Sequence, residues 1–275
     1  MFLSIIVPFH NAECVIGRCA ASLVHQSYPR EGYELIFVDS GSDDGASRML
    51  RNSYPSITVL HVAARNAYVA RNEGLRVAKG ELVAFTDADC VVSKEWVEQI
   101  ISTFLAEGGD LAMGKVSPPA ASPLLSLIHD YESEVIDAMI ASGPGSVAFG
   151  YTNNMAVRAD FFRRFGMFDE VRKRGGDTEF VMRCISSCPE IQIRYTGKME
   201  VTHLEMTSCH TWLRKKFLYG KSHGAIQFKK ASRLPHLRQA NMKLPLFLML
   251  AVGRVVYEGG RLAGFVETLT RSQNR

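Results

Sequence analysis

The nine residues Leu82–Cys90, LVAFTDADC, decide how this chain is read. An apolar run ends in two carboxylates, Asp87 and Asp89, with only Ala88 between them. Two like charges at the end of a buried strand are costly unless water or a cation takes them up. The pair is therefore either a solvated surface turn or the seat of a cation. The residues on either side must separate these two readings.

Working outward, short β-branched apolar runs alternate with helical patterns. FLSIIVP, YELIFVD, SITVLHV and ELVAFTD read as strands, and DLAMGKV as a further one. Between them, helices are expected over 12–26, 43–52 and 66–78. A fourth, SKEWVEQIISTFL, would be capped by Ser93, with Glu95 in its first turn. Strands apolar on both sides, alternating with helices, define an α/β fold with a mostly parallel sheet flanked by helices. Ligands of such sheets bind at the carboxyl ends of the strands. Three polar strand ends, 8–11, 39–44 and 87–89, would then open onto one crevice. Beyond SPPAASP a helix is expected over 124–141. The Gly-rich turn SGPGS follows, then YTNNMAVR, a short helix at 160–165, and the loop FDEVRKRGGDTE opening a helix through Cys184. IQIRY and MEVTH read as two short strands.

The bulk numbers fit a globular chain. Of 275 residues, 47% are apolar and 22% charged, enough for a sizeable core. A formal charge of +4 does not by itself imply nucleic acid. The six cysteines show no CxxC pair and no metal spacing, and read as reduced thiols of a cytoplasmic protein. The start, MFLSIIVPFHNAE, has no basic segment and is broken by Pro8, so it reads as a strand rather than a signal peptide. There is no GxGxxG after the first strand, no GxxxxGK[ST] and no GxSxG. That leaves an acidic site at the sheet's carboxyl edge, where Asp-x-Asp suits Mg²⁺ or Mn²⁺ carrying a diphosphate.

At this point the chain resembles a family 2 glycosyltransferase of the GT-A fold. SIIVPFHNAE, ELIFVDSGSDDGA, ARNEGLRVAKGELVAFTDADC and YTNNMAVRADFFRRFGMFDE with GGDTEFVMR occur in the family's order. The resemblance implies a nucleotide-binding half over about 1–115 and an acceptor half over about 116–205. It implies that Pro8, His10, Asp39, Arg71 and Asp87 bind the nucleotide and that Asp89, with His203, holds Mn²⁺ or Mg²⁺. Asp177 would be the general base of an inverting single displacement, and Asn153 and Asn154 would touch sugar or acceptor. Helix capping by Asp177 and core hydrogen bonding by the two asparagines are the alternatives. Three positions depart from the family pattern: Ser40 replaces an acidic residue, Cys90 follows the DxD, and Gly176 precedes Asp177 where Glu is usual. No QxxRW-like element follows Arg183, which points to transfer of one sugar rather than polymerisation.

The last part, 206–275, reads as a basic C-terminal helical extension. From Thr207 to Tyr257 there is no acidic residue, and aromatic residues are interleaved with lysine and arginine. That surface suits an anionic membrane or a lipid-linked glycan acceptor, and a peripheral place on the inner face of the plasma membrane. Trp212, Arg214 and Lys215 are candidates for closing over the donor. The expected protein is an inverting, metal-dependent enzyme moving one sugar from a UDP- or GDP-linked donor to a hydroxyl, with no nucleic-acid partner. A nucleotidyltransferase and a non-catalytic sugar-nucleotide or membrane scaffold are the rival readings.

Overall fold

The computed structural model describes residues 1–106, 108–119, 123–147, 149–226 and 244–273. Among these, two compact units are distinguished. The first comprises Met1–Ser117 and Ile136–Leu204, the second Pro118–Val135 and Glu205–Arg275. Residues 118–135, expected in the acceptor half, thus fall with the C-terminal extension.

The first unit is built on an eight-stranded sheet. In chain order its strands are β1 (Leu3–Phe9), β2 (Tyr33–Ser40), β3 (Thr58–Val62), β4 (Leu82–Thr86), β5 (Cys90–Val92), β6 (Leu111–Ser117), β7 (Asn154–Arg158) and β8 (Ile193–His203). Their order across the sheet is β3-β2-β1-β4-β7-β6-β8-β5. β1 runs parallel to β2 and β4, β2 to β3, and β6 to β8. β7 runs antiparallel between β4 and β6, and β5 runs antiparallel to β8.

Strand period explains the unbroken apolar runs. Leu3, Ile5 and Val7 of β1 join one core, and Ile6 the other; Leu82 and Ala84 of β4 join the first, and Val83 and Phe85 the second. Side chains alternate between faces, so a strand covered on both sides must be apolar throughout. The first core is closed by α1 (Ile16–Val24), α2 (Ala46–Ser53) and α4 (Trp96–Ala106). The second is closed by α3 (Ala67–Val77), α6 (Asp160–Phe165) and α7 (Gly176–Ser187). Between these helices in the chain lies α5 (Pro123–Ala141).

Several local expectations need correction. Ser93 does not cap α4, which begins at Trp96; its backbone carbonyl accepts from Trp96 N at 3.1 Å, and its hydroxyl has no partner. Helices α1 and α2 begin later than expected because the residues before them tie two loops together. Glu13 N donates to Asp44 Oδ2 at 2.9 Å, and Asp43 N to Asn11 Oδ1 at 2.9 Å. The last three residues of IQIRY and all of MEVTH belong to the single strand β8, whose pairing with β6 shifts register between Gly114 and Lys115. Gly114 permits this, since a Cβ there would lie 2.1 Å from Met199 O. The three-residue β5 was not anticipated at all.

The second unit holds the first part of α5, α8 (Cys209–Ile226) and α9 (Leu244–Gln273), around a small core of Leu125, Ile128, Met206 and Trp212. Its basic character is partly neutralised from within. Lys216 pairs with Glu132 at 2.5 Å, Lys221 with Glu267 at 2.6 Å and Lys215 with Glu205 at 3.7 Å. Lys229, Lys230, Arg233, Arg238 and Lys243 lie outside the described residues. Among those described, no helix is long and apolar enough to cross a membrane.

Candidate active site

The polar ends of β1, β2 and β4 come together as parallel neighbours, since β1 lies between β2 and β4. Pro8 is buried in β1, His10 is exposed just beyond it, and Asn11 has φ 48°. Asn11 N donates to Ser42 Oγ at 3.0 Å, joining the β1 loop to the β2 loop. Asp39, at the end of β2, is 4% exposed. Ser42 N donates to its Oδ1 at 2.8 Å, and the Ser47 hydroxyl to its Oδ2. Burial alone would raise this carboxyl, but the bonds from Ser47 and Ser42 outweigh it and hold Asp39 below the usual carboxylate range. Ser40, where the family pattern has an acid, is buried and donates to Ala64 O at 2.6 Å. Its departure from the pattern serves the backbone of the β3–α3 loop.

Helix α3 carries the next group. Asn66 caps it, accepting from Tyr68 N at 2.8 Å, and its amide donates to Glu170 O and Arg172 O. Arg71, one turn in, is 4% exposed and donates to Asp87 Oδ1 at 2.6 Å. Its guanidinium lies 5.4 Å from the Tyr68 ring centre. The Tyr68 hydroxyl accepts from Gly176 N at 2.9 Å and donates to Asp177 Oδ1 at 3.3 Å. Gly176 is the residue this needs: a Cβ there would lie 2.9 Å from the Tyr68 ring. A Glu here, where the family often has it, would require the Tyr68 ring to shift.

Asp177 sits in the first turn of α7. Its Oδ1 also accepts from Thr178 N at 2.9 Å, and its Oδ2 from Thr152 N at 3.3 Å. Burial raises its carboxyl above the usual range, with the nearby Arg71 charge and the two backbone bonds only partly offsetting this. Tyr68, Thr152 and Thr178 were not singled out from the sequence. Nothing in AYVARN separates a site tyrosine from a core aromatic, and backbone donors leave no residue signature.

The DxD lies between β4 and β5. Asp87 is about a third exposed and Asp89 a fifth. β5 then pairs with β8 so that Cys90 faces His203, and Leu204 N donates to Asp89 O at 2.8 Å. This pairing brings His203 Nδ1 to 3.4 Å from Asp89 Oδ2. Adjacent ligands of an octahedral cation, each bonded at about 2.1 Å, stand ~3 Å apart. The carboxylate–imidazole pair therefore fits a divalent ion such as Mn²⁺, which accepts both donor types.

The two asparagines separate. Asn153 gives its backbone carbonyl to the Thr86 hydroxyl at 3.0 Å, and its buried Oδ1 has no partner. Asn154 is fully buried. Its Nδ2 donates to Lys115 O and Met199 O, both at 2.8 Å, and its Oδ1 accepts from Trp96 Nε1 at 2.9 Å. Each amide atom is engaged in tying β7 to β6, β8 and α4, which is the core hydrogen bonding stated as the alternative for this residue. Trp212 is a core residue of the second unit, 1% exposed, and is not available to fold over a donor. Arg214 is exposed, and Lys215 is held by Glu205.

A mostly parallel sheet flanked by helices, matching solved GT-A structures, gives this molecule the GT-A fold. The family model described as Glycosyl transferase family 2 matches residues 4–170, and the chain belongs to that family. It is 27% identical over 245 residues to the glycosyltransferase AglE of Haloferax volcanii, covering 85% of this chain and 76% of that one. It is 23% identical over 274 residues to a pre-mycofactocin glycosyltransferase of Mycobacterium tuberculosis, covering 96% of this chain and 55% of that protein. Among solved structures, the mannosyltransferase PcManGT of Pyrobaculum calidifontis, in complex with GDP-Man and Mn²⁺, superposes with a TM-score of 0.69. That match has 19% identity and covers 97% of this chain and 86% of that one. S. aureus TarS in complex with UDP-GlcNAc gives 0.58 at 19% identity, covering 84% and 68%.

Proposed function

We propose that this glycosyltransferase inverts configuration, needs a divalent cation, and moves one sugar from a UDP- or GDP-linked donor to a hydroxyl acceptor. The carrying observation is the contact chain from Asp87 through Arg71 and Tyr68 to Asp177. It joins the strand end of the donor side to a carboxylate with raised proton affinity.

Asp177 is the general base. Its bonds from Thr152 N and Thr178 N fix its orientation, and its raised proton affinity suits it to take a hydroxyl proton. The acceptor oxygen bonds to the anomeric carbon as the bond to the diphosphate breaks. The proton goes to Asp177, the electron pair leaves with the nucleoside diphosphate, and no protein nucleophile is required. Pro8, His10 and Asp39 line the base side of the donor, and Asp87 takes the ribose. Arg71, held by Asp87, is a fixed cation beside the phosphates. Asp89 and His203 would hold Mn²⁺ or Mg²⁺, which when bound neutralises charge on the departing diphosphate. Asn153, with a buried acceptor atom to satisfy, remains an acceptor-side contact.

A glycan or lipid-linked glycan is the acceptor class we favour. A relative from Methanococcus voltae, 26% identical over 180 residues, is named for transfer to a dolichyl-phosphate-linked sugar. A cytoplasmic enzyme lying on an anionic membrane face agrees with exposed Leu248, Val252 and Val255 on α9. It follows that the C-terminal extension, from about residue 206, serves the acceptor rather than the donor.

Thermal unfolding with UDP, GDP and their sugars, with and without Mn²⁺ or Mg²⁺, tests this reading. A ligand at 100 times its Kd stabilises by about 2.7 kcal/mol. One nucleotide should raise Tm only with metal, and Asp89→Ala should abolish that rise. If no nucleotide raises Tm in either metal, the donor site is misassigned.

A further inference from the structure

Cys90 stands directly opposite His203 in the β5–β8 pair. Residues paired across two antiparallel strands present their side chains on the same face. The Asp89 carboxylate reaches both. Its Oδ1 is 3.8 Å from Cys90 Sγ and its Oδ2 is 3.4 Å from His203 Nδ1. The three ligand atoms lie within 4.8 Å of one another, and no other such trio of His, Cys, Asp or Glu occurs among the described residues.

We propose that Asp89, Cys90 and His203 form a site for a thiophilic divalent cation, Zn²⁺ above all, which competes with the cation that the donor requires. The inference rests on the reading of Asp89 and His203 as cation ligands. What it adds is Cys90, the residue by which this chain departs from an acidic neighbour after the DxD. Zn²⁺ binds carboxylate oxygen and imidazole nitrogen at about 2.0–2.2 Å and sulfur at about 2.3 Å. Its tetrahedral ligands therefore stand ~3.3–3.6 Å apart. The observed 3.4 and 3.8 Å run to different Asp89 oxygens, and all three ligand atoms lie within 4.8 Å, so metal binding needs side-chain shifts of up to about 1 Å.

The supporting backbone is fixed. Leu204 N donates to Asp89 O at 2.8 Å and Cys90 N to Asp87 O at 3.0 Å. Mg²⁺ and Mn²⁺ prefer oxygen and nitrogen donors and leave the thiol protonated. Zn²⁺ recruits it: the S–H bond gives its proton to solvent, and the sulfur lone pair coordinates the metal. The order of divalent affinities already favours Zn²⁺ over Mn²⁺ at a mixed site, and sulfur widens the gap. With Asp89 and His203 drawn into a tetrahedral site, the donor's cation loses both ligands. Zn²⁺ then acts as a reversible inhibitor that a chelator removes.

The test uses the full chain and Co²⁺ as a spectroscopic stand-in for Zn²⁺. One equivalent of Co²⁺ should give a near-ultraviolet sulfur-to-cobalt charge-transfer band that Zn²⁺ displaces. Cys90→Ser should lose the band, while Cys14→Ser and Cys19→Ser keep it. Cys90→Ser should also weaken Zn²⁺ binding by at least ~10-fold and leave Mn²⁺ binding, read by electron paramagnetic resonance, unchanged. A wild-type protein with no sulfur band overturns the proposal, whether or not the variants fold. So does a band that survives in Cys90→Ser, or equal weakening of Zn²⁺ and Mn²⁺. If the cobalt–sulfur band appears but Mn²⁺ does not promote nucleotide binding, the proposed function falls and the zinc site stands.

Discussion

Arg71 and Asp87 form a 2.6 Å ion pair in which the cation is almost fully buried and the anion is about a third exposed. The guanidinium sits near the Tyr68 ring, and its Nε has no hydrogen-bond partner. A buried donor left idle is unusual and calls for a ligand or a special function. In the proposed function, an incoming diphosphate would supply one.

Arg71→Met keeps much of the side-chain volume and removes the charge. Breaking a buried pair costs ~3–5 kcal/mol, but solvent around Asp87 reduces this to about 1–3 kcal/mol here. Urea unfolding should show that loss, and calorimetry should show nucleotide affinity falling at least tenfold, about 1.4 kcal/mol. Retained nucleotide affinity would make Arg71 a structural cation only.

Asp177 supplies a pH signature. Because its carboxyl is raised, the folded protein holds that proton more readily than the unfolded chain. Stability from this group is therefore full below the ordinary carboxylate value and falls as pH rises through the raised one. In the proposed function, activity runs the other way, since the base must be ionised. The acidic limb of kcat/KM should lie above the ordinary carboxylate range. Arg71→Met, which removes the largest lowering influence, should move the limb to higher pH. Asp177→Asn should cut turnover by about 10²–10⁴-fold while metal-dependent donor binding persists. Unchanged turnover in that variant would remove Asp177 from the chemistry.

Asn154 distinguishes a strut from a substrate contact. Asn154→Ala leaves Trp96 Nε1 and two carbonyls without their side-chain partner inside the core. Unsatisfied buried groups cost ~1–3 kcal/mol each when nothing relaxes, so a net loss of about 2–4 kcal/mol is expected. The folded fraction, assayed below its lowered Tm, should keep the wild-type KM for acceptor. A raised acceptor KM with normal stability would reverse the assignment.

What could be read in the sequence is what local pattern carries. Strands covered on both faces advertise themselves as apolar runs, so β1 to β4 were found, and with them the strand ends that hold Asp39, Asp87 and Asp89. What escaped depends on distant pairing. Strand β5 is three residues long and exists because β8 offers it a partner, so neither its presence nor the Cys90–His203 register is written in nearby residues. Tyr68 and Thr152 reach Asp177 from positions 109 and 25 residues away in the chain. Asn154 sits beside Asn153 in an ordinary polar loop signature, and only the packing of three other elements against it reveals a core amide. The partial neutralisation of the basic tail escaped for a similar reason: its counter-charges, Glu132, Glu205 and Glu267, lie outside the acid-free stretch.

Ser47 offers a last test, beside Asp39 at the end of β2. Its hydroxyl donates to the buried Asp39 carboxylate, one of the bonds that keep that group below the usual range. A lowered carboxyl contributes stability that is present above its unfolded value and is lost as pH falls through the folded one. Ser47→Ala removes a bond to a charged acceptor, worth ~1.5–3 kcal/mol at neutral pH. With that bond gone, burial pushes the Asp39 carboxyl upward, so the variant has less of this stability to lose on acidification than wild type. Once Asp39 is protonated in both proteins, the bond has no charge to serve. Urea unfolding should therefore show a gap of that size at pH 7 that shrinks as pH falls below the ordinary carboxylate range toward the lowered value of Asp39. A gap independent of pH would mean that Ser47 stabilises the loop by packing alone and that other groups hold the Asp39 charge.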